Sequence, residues 1–430
     1  MSRPLAAPAA GRVETPLEVA AAPLASEPDP ARLLELFPSE TRFVLTRPAE
    51  RFALAAVGEV RAIVERGAGA LERSVDRLER AGSLPAGLFW AGGFAFDPSV
   101  PAAGEMPGAF WTAPALALWR EGGRAGLLAA ARVGETRSGL RARLERVRAA
   151  LERPRRPRGE EGAAASQGIV SQPVATWRRA VEATLADLAA GRFEKLVLAR
   201  ACELRSAAPF EPARALRRLA AQQPGATLFA LGRGDATLVG ATPELLVRVR
   251  GREIETAALA GTAPAGAVPR RLIADAKERR EHALVLRHLE AGLRPLCERL
   301  EAAGSPEVAA AGPCRHLRTP VRGRLRSGVG VAQVAARLHP TPAVAGLPVA
   351  EARLAIAERE PVPRGWYAGG IGWIGAEGGE VAVALRCALI RRERALLHAG
   401  AGIVVGSEWE RELEETRLKM QPMLGALLEV

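Results

Sequence analysis

Between residues 227 and 259 the chain carries four short apolar runs separated by turns: Thr227 to Leu231, a Gly-Arg-Gly-Asp turn, Thr237 to Gly240, Leu245 to Val249, and Glu253 to Leu259. Connections this short join antiparallel strands, because a parallel crossover needs about a dozen residues or more. The segment therefore predicts a meander. Further strand-like runs are Arg42-Phe43-Val44-Leu45, Phe89 to Phe96, Lys195 to Leu204, Val381 to Ile390 and Leu396 to Val405. Helical periodicity marks Leu140 to Leu151, Thr176 to Ala190, Ile273 to about Leu300, and Glu408 to Leu428. Meanders mixed with helices predict an α+β fold with mainly antiparallel sheet rather than repeated βαβ units.

The 430 residues suffice for a large core without disulfides or structural metals. Residues 1–30, rich in Ala and Pro, read as a flexible lead-in without the layout of a secretory signal. Residues 31–152 form an N-terminal α+β portion, 153–168 a linker rich in Pro, Gly and charge, and 169–430 the region expected to carry the chemistry. No run of about 18 apolar residues offers a membrane span. Four cysteines, at 202, 297, 314 and 387, lack CxxC spacing, which disfavours zinc and a disulfide framework and points to the cytoplasm.

A net charge of +12 raises nucleic acid as a partner, but arginine is spread through the chain. The one dense cluster, Arg153 to Arg158, is broken by prolines and followed by Glu160 and Glu161, as in a solvated linker. A small dianionic substrate suits a basic surface equally well, and neither nucleic acid nor membrane is expected as a partner.

Lysine occurs only at 195, 277 and 419, and tyrosine only at 367. Cations elsewhere are arginine, so each lysine is singled out as a candidate for chemistry that a permanently charged fork does not serve. Before Lys195 there is no Lys, His, Tyr or Cys, which directs the search to the second half.

Glu412, Glu415 and Lys419 are spaced i, i+3, i+7 and share a helical stripe about 60° wide. A solvated salt-bridged stripe is the plain alternative. The preceding strand ends in Gly400-Ala401-Gly402, whose bare backbone admits close approach of a ligand. Glu281 lies in a second helix, and two carboxylates from distant helices suit Mg²⁺, which keeps several waters and completes its shell with an anionic substrate. Lys195 either snorkels to water or is a desolvated base. Glu244, in Gly-Ala-Thr-Pro-Glu, is either a turn carboxylate or a general acid. Arg386, mid-strand among apolar residues, calls for a bound carboxylate. Gly370 to Gly375 matches GxGxxG, but a strand rather than a helix follows, so it reads as a glycine-rich hairpin.

In chain order, Phe193 to Arg200 (FEKLVLAR), Gly240 to Glu244 (GATPE), Ala258 to Thr262 (ALAGT) and Glu281-His282 resemble motifs of the chorismate-utilising enzymes. So do Arg315-His316-Leu317, Leu338 to Gly346 (LHPTPAVAG), Trp366 to Gly369 (WYAG), Leu385-Arg386, Gly400 to Ile403 (GAGI) and Glu415 to Lys419 (ETRLK). This family comprises isochorismate, salicylate, anthranilate and aminodeoxychorismate synthases. The likeness spans residue 170 to the end, and Trp90 to Asp97 looks like a segment of isochorismate synthases. It implies two stacked, mainly antiparallel sheets flanked by helices, with the site in a cleft between them. Glu281 and Glu415 would hold Mg²⁺, with Glu412 beside it. Gly261, Thr262, Gly402 and Lys419 would support the ring carboxylate, Tyr367 and Arg386 the enolpyruvyl carboxylate, and His316, Gly400 and Ala401 join the binding set.

Lys195, where anthranilate synthases usually carry glutamine, resembles the water-using members, and the His339 to Gly346 stretch looks like isochorismate synthases. The resemblance thus implies Mg²⁺-dependent addition of water at C2 of chorismate and loss of the C4 hydroxyl. Lys195, neutral through desolvation, would be the base and Glu244, held protonated, the acid. Salicylate synthase, which also eliminates pyruvate, is the alternative. No glutaminase partner is expected, and a monomer is the default.

Overall fold

The computed structural model describes residues 17–100, 106–154 and 166–428. Among these residues the strands form one sheet of twelve and one of ten. Every pairing is antiparallel.

Strand alternation builds the layers. On the strand Arg42–Arg47, Phe43 and Leu45 enter the core shared by both sheets, whereas Val44 enters a second core beneath the helices Pro212–Gln222 and Trp409–Leu427. Phe229 and Leu231 against Leu228 and Ala230 repeat the pattern on Thr227–Arg233. A sheet covered on both faces has no polar side, which accounts for its unbroken apolar runs. Phe94, Phe110, Trp111 and Val381 of the ten-stranded sheet complete the shared core.

The 227–259 meander exists, but it is divided between the sheets. Thr227–Arg233 and Ala236–Thr242 form a hairpin in the larger sheet, while Leu245–Arg250 and Glu253–Pro264 pair in the other. The crossing falls at Pro243-Glu244. The stretch 381–390 is likewise two strands rather than one: Gly378–Val383 lies in the smaller sheet and Cys387–Arg391 in the larger. Arg386 is therefore not mid-strand. It sits at the return crossing with φ of 49°, a left-handed conformation unusual for a residue with a side chain. The two crossings are bonded to each other, Val383 N–H donating to Glu244 O at 3.0 Å and Ala241 N–H to Arg386 O at 3.2 Å.

Three other expectations need correction. The middle helix covers Ala276–Leu293 rather than 273 to 300, because Asp275 caps it through the N–H groups of Lys277 and Glu278, and Cys297–Ala302 is an edge strand. Part of the supposed lead-in is an edge strand, Val19–Pro23, paired with Arg124–Ala130. The strand Ser166–Ser171 begins inside the supposed linker. Most of the arginine-rich cluster lies outside the described residues. Gly370–Gly375 and Gly378–Val383 are adjacent strands of one hairpin, as the absence of a following helix predicts. No helix among the described residues is long and apolar enough to cross a membrane.

Candidate active site

The sheet crossings, the glycine-rich strand Arg394–Ile403 and the helices Ala276–Leu293 and Trp409–Leu427 surround a cavity. Glu244, Thr262, Glu281, His316, Tyr367, Arg386, Gly400, Gly402 and Lys419 line it. Thus nine of the residues singled out from the sequence meet in one place. Ala401 does not line it: alternation turns its side chain to the face opposite Gly400 and Gly402, into the shared core. Lys195, Gly261, Glu412 and Glu415 stand behind the lining.

All three lysines of the chain bind carboxylates here. Lys195 Nζ lies 2.8 Å from Glu281 Oε1, Lys277 Nζ 3.0 Å from Glu412 Oε1, and Lys419 Nζ 2.6 Å from Glu415 Oε1 and 2.9 Å from Gly400 O. Lys195 is fully buried as expected, and its amine is bonded to a carboxylate rather than isolated. Gly402 makes that pair possible, since a Cβ there would fall 2.7 Å from Glu281 Oε1 and 2.9 Å from Lys195 Cε. Gly261, at φ of 79°, ends in a bulge that presents Thr262 N–H to Glu278 Oε2 at 2.7 Å.

Burial pushes the Glu244 carboxyl up to about 7, against the opposing pull of the Lys195 and Lys419 charges. It is therefore substantially protonated at neutral pH. Burial raises Glu281 most, but Lys195, with Lys419 and Lys277, outweighs it and holds the carboxylate below its ordinary value. His316, 3.2 Å from Thr262 Oγ1, is pushed down to about 3 by burial and by Lys419 and Arg386, so it is neutral. Burial raises the Tyr367 phenol to about 12, and its ring stacks on His398 at 5.3 Å. Among the described residues the buried Arg386 guanidinium makes no hydrogen bond or ion pair. An unpaired buried cation facing a cavity is a ready partner for a ligand carboxylate.

The sequence reading missed Glu278, Glu360 and Arg364. Glu278 is pushed up to about 7, first by burial and then by the charge of Glu281. Its signal was present: Glu278 and Glu281 repeat the i, i+3 spacing of Glu412 and Glu415. Arg364 lines the cavity and donates to Val197 O, Val344 O and Glu360, whose Oε1 accepts from Ala199 N–H at 2.7 Å. The pair fixes the strand that carries Lys195, and nothing local in the sequence announces it.

Among the described residues no three His, Cys, Asp or Glu side chains converge into a metal cage. The donors nevertheless fit Mg²⁺, which takes one or two carboxylates and keeps water on its other positions. Repulsion among the acids supports the fit. Glu412 is raised by burial and by Glu415, as expected where negative charges face one another without a full complement of cations.

A profile described as chorismate binding enzyme matches residues 15–428. The chain belongs to the chorismate-binding enzyme family. Among relatives of this family, the salicylate biosynthesis isochorismate synthase of Pseudomonas aeruginosa is 38% identical over 351 residues, covering 78% of this chain and 73% of that protein. The menaquinone-specific isochorismate synthase of Escherichia coli superposes with a TM-score of 0.83 at 27% identity, covering 96% of this chain and 94% of that one. Anthranilate synthase component I of Streptococcus pneumoniae, at 23% identity and TM-score 0.76 over 87% of this chain and 92% of that one, shares the fold.

Proposed function

We propose that this chorismate-binding enzyme is an isochorismate synthase, an isomerase that adds water at C2 of chorismate and releases the C4 hydroxyl reversibly, with Mg²⁺ as cofactor. The observation that carries the reading is the pairing of unlike proton-transfer groups at one cavity: Glu244, buried and substantially protonated in its lining, and Lys195, buried just behind the lining residue Glu281. Glu244 is suited to protonate the departing hydroxyl. Lys195 is suited to accept a proton from the incoming water once its bond to Glu281 is broken, since an ammonium donating to a carboxylate cannot serve as a base. Arg386 and Tyr367 are suited to hold the enolpyruvyl carboxylate, and Thr262 and Lys419 the ring carboxylate. Glu281 and Glu415 would hold Mg²⁺, which would supply positive charge to the ring carboxylate, and Glu281 so engaged would no longer accept from Lys195. Relatives named for isochorismate synthesis toward menaquinone and salicylate support this product, and menaquinone or siderophore synthesis is the destination we favour. Four free, buried cysteines suit the cytoplasm.

The test is to incubate the purified enzyme with chorismate, with and without Mg²⁺ and without ammonia, and to identify products by chromatography and mass. Isochorismate formed only with Mg²⁺, and reconverted to chorismate, is the expected result. Salicylate with pyruvate would assign the salicylate synthase reaction instead, and unchanged chorismate would refute both.

A further inference from the structure

Lys277 occupies an unfavourable place for a cation. It is the second residue of the helix Ala276–Leu293, where the helix dipole favours anions and opposes positive charge. Its ammonium nevertheless reaches across to Glu412 in the first turn of the closing helix at 3.0 Å, and lies 3.9 Å from Glu278. Two features separate it from the other two lysines. Its side chain is 35% exposed, against 1% for Lys195 and 17% for Lys419, so it has a path to water. Its partner Glu412 is only 5% exposed and cannot follow it out. Unlike Lys419, it does not line the cavity. An arginine here would grip Glu412 with two parallel bonds, whereas lysine is a single, strongly hydrated charge that can be given up to solvent.

We propose that Lys277 is a displaceable internal counter-cation, which neutralises Glu412 and Glu278 beside the metal ligands and opposes the divalent cation through its charge. The inference rests on the magnesium reading of the proposed function. Four carboxylates, Glu278, Glu281, Glu412 and Glu415, share three lysines, so the arrangement carries at most about one net negative charge. A divalent ion alone is then attracted weakly, because it must either bind beside the Lys277 charge or drive Lys277 out to solvent. A dianionic substrate brought to the cavity restores the missing negative charge and favours the eviction. Lys277 thereby makes metal binding depend on substrate.

The test is titration of the purified full-length enzyme with Mn²⁺, followed by electron paramagnetic resonance of the free ion, for wild type, Lys277→Gln and Lys277→Arg, with and without chorismate. Without chorismate, Lys277→Gln is expected to bind Mn²⁺ about tenfold more tightly than wild type, the order of effect of removing one nearby like charge. Lys277→Arg, which keeps the charge, is expected to bind no more tightly than wild type. Chorismate should tighten binding more in wild type than in Lys277→Gln. Equal or weaker binding by Lys277→Gln, with wild type binding normally, would overturn the role of Lys277 and leave the magnesium reading standing. Tighter binding by Lys277→Arg would also overturn it, by showing that charge is not the cause. Failure of every form to bind Mn²⁺, with chorismate present, would overturn the magnesium reading and the inference together. Melting temperatures in chelator show that each variant is folded.

Discussion

Glu244 lies where the chain leaves the larger sheet for the smaller, and its burial there sets its chemistry. With its carboxyl raised to about 7, the acid form predominates below neutrality and is lost as pH rises. If Glu244 protonates the leaving hydroxyl, kcat/KM falls about tenfold per pH unit above 7, and Glu244→Gln lowers turnover by a factor of about 10² to 10⁴. The same shift makes a stability prediction. Between the ordinary carboxyl value and about 7 the folded state binds more protons than the unfolded state, so stability drains away as pH rises through this window. Glu244→Gln should therefore raise the melting temperature at pH 8 relative to wild type by more than at pH 4. Equal differences at both pH values would show that Glu244 is not buried as an acid. Gly402 offers a second test, because a methyl group there collides with flexible side chains rather than backbone. Gly402→Ala is expected to keep its melting temperature within a few degrees yet lose about 10²-fold in turnover, as the Glu281–Lys195 pair is pushed aside.

At the scale of elements, the two sheets are tied together by buried charge as well as by the shared core. Glu380, 1% exposed on Gly378–Val383, accepts from Arg47 of the larger sheet at 2.6 Å and from Arg248 of its own sheet at 2.8 Å. Glu380→Ala removes the one buried carboxylate that two guanidiniums share, leaving Arg47 with Glu50 and Arg248 with Glu255, and should cost about 3–5 kcal/mol of stability, measurable by denaturant unfolding. A cost below about 1 kcal/mol would mean that those two carboxylates suffice. This tie was not legible in the sequence, because Glu380 and Arg47 are 333 positions apart and each looks like ordinary strand polarity. What was legible followed local rules. Turn chemistry and short apolar runs located the hairpins, and helical spacing exposed Glu412, Glu415 and Lys419. Those rules failed where the cause was non-local: the strand break at Arg386 reflects a change of sheet, and the edge strand Val19–Pro23 exists only because Arg124–Ala130 offers it an unpaired edge.

At the scale of the molecule, the site residues come almost wholly from beyond residue 190, yet that region is not self-sufficient. The strand Arg42–Arg47 pairs with Thr227–Arg233, and Phe89–Phe94 pairs with Gly370–Gly375, so the N-terminal portion supplies interior strands to both sheets. Phe43, Phe94, Phe110 and Trp111 fill the core on which Phe229 and Val381 rest. A fragment of residues 169–430 would expose two unpaired edges and the apolar faces beside them, a combination that favours aggregation over folding. It is expected to lack a cooperative thermal transition, whereas co-expression with residues 1–152 should restore one transition and chorismate turnover together. The intact chain should unfold in a single step, because neither sheet can open without exposing the core of the other. Calorimetry showing two separated transitions, or an active isolated fragment, would mean that the interleaved strands decorate the catalytic region rather than complete it.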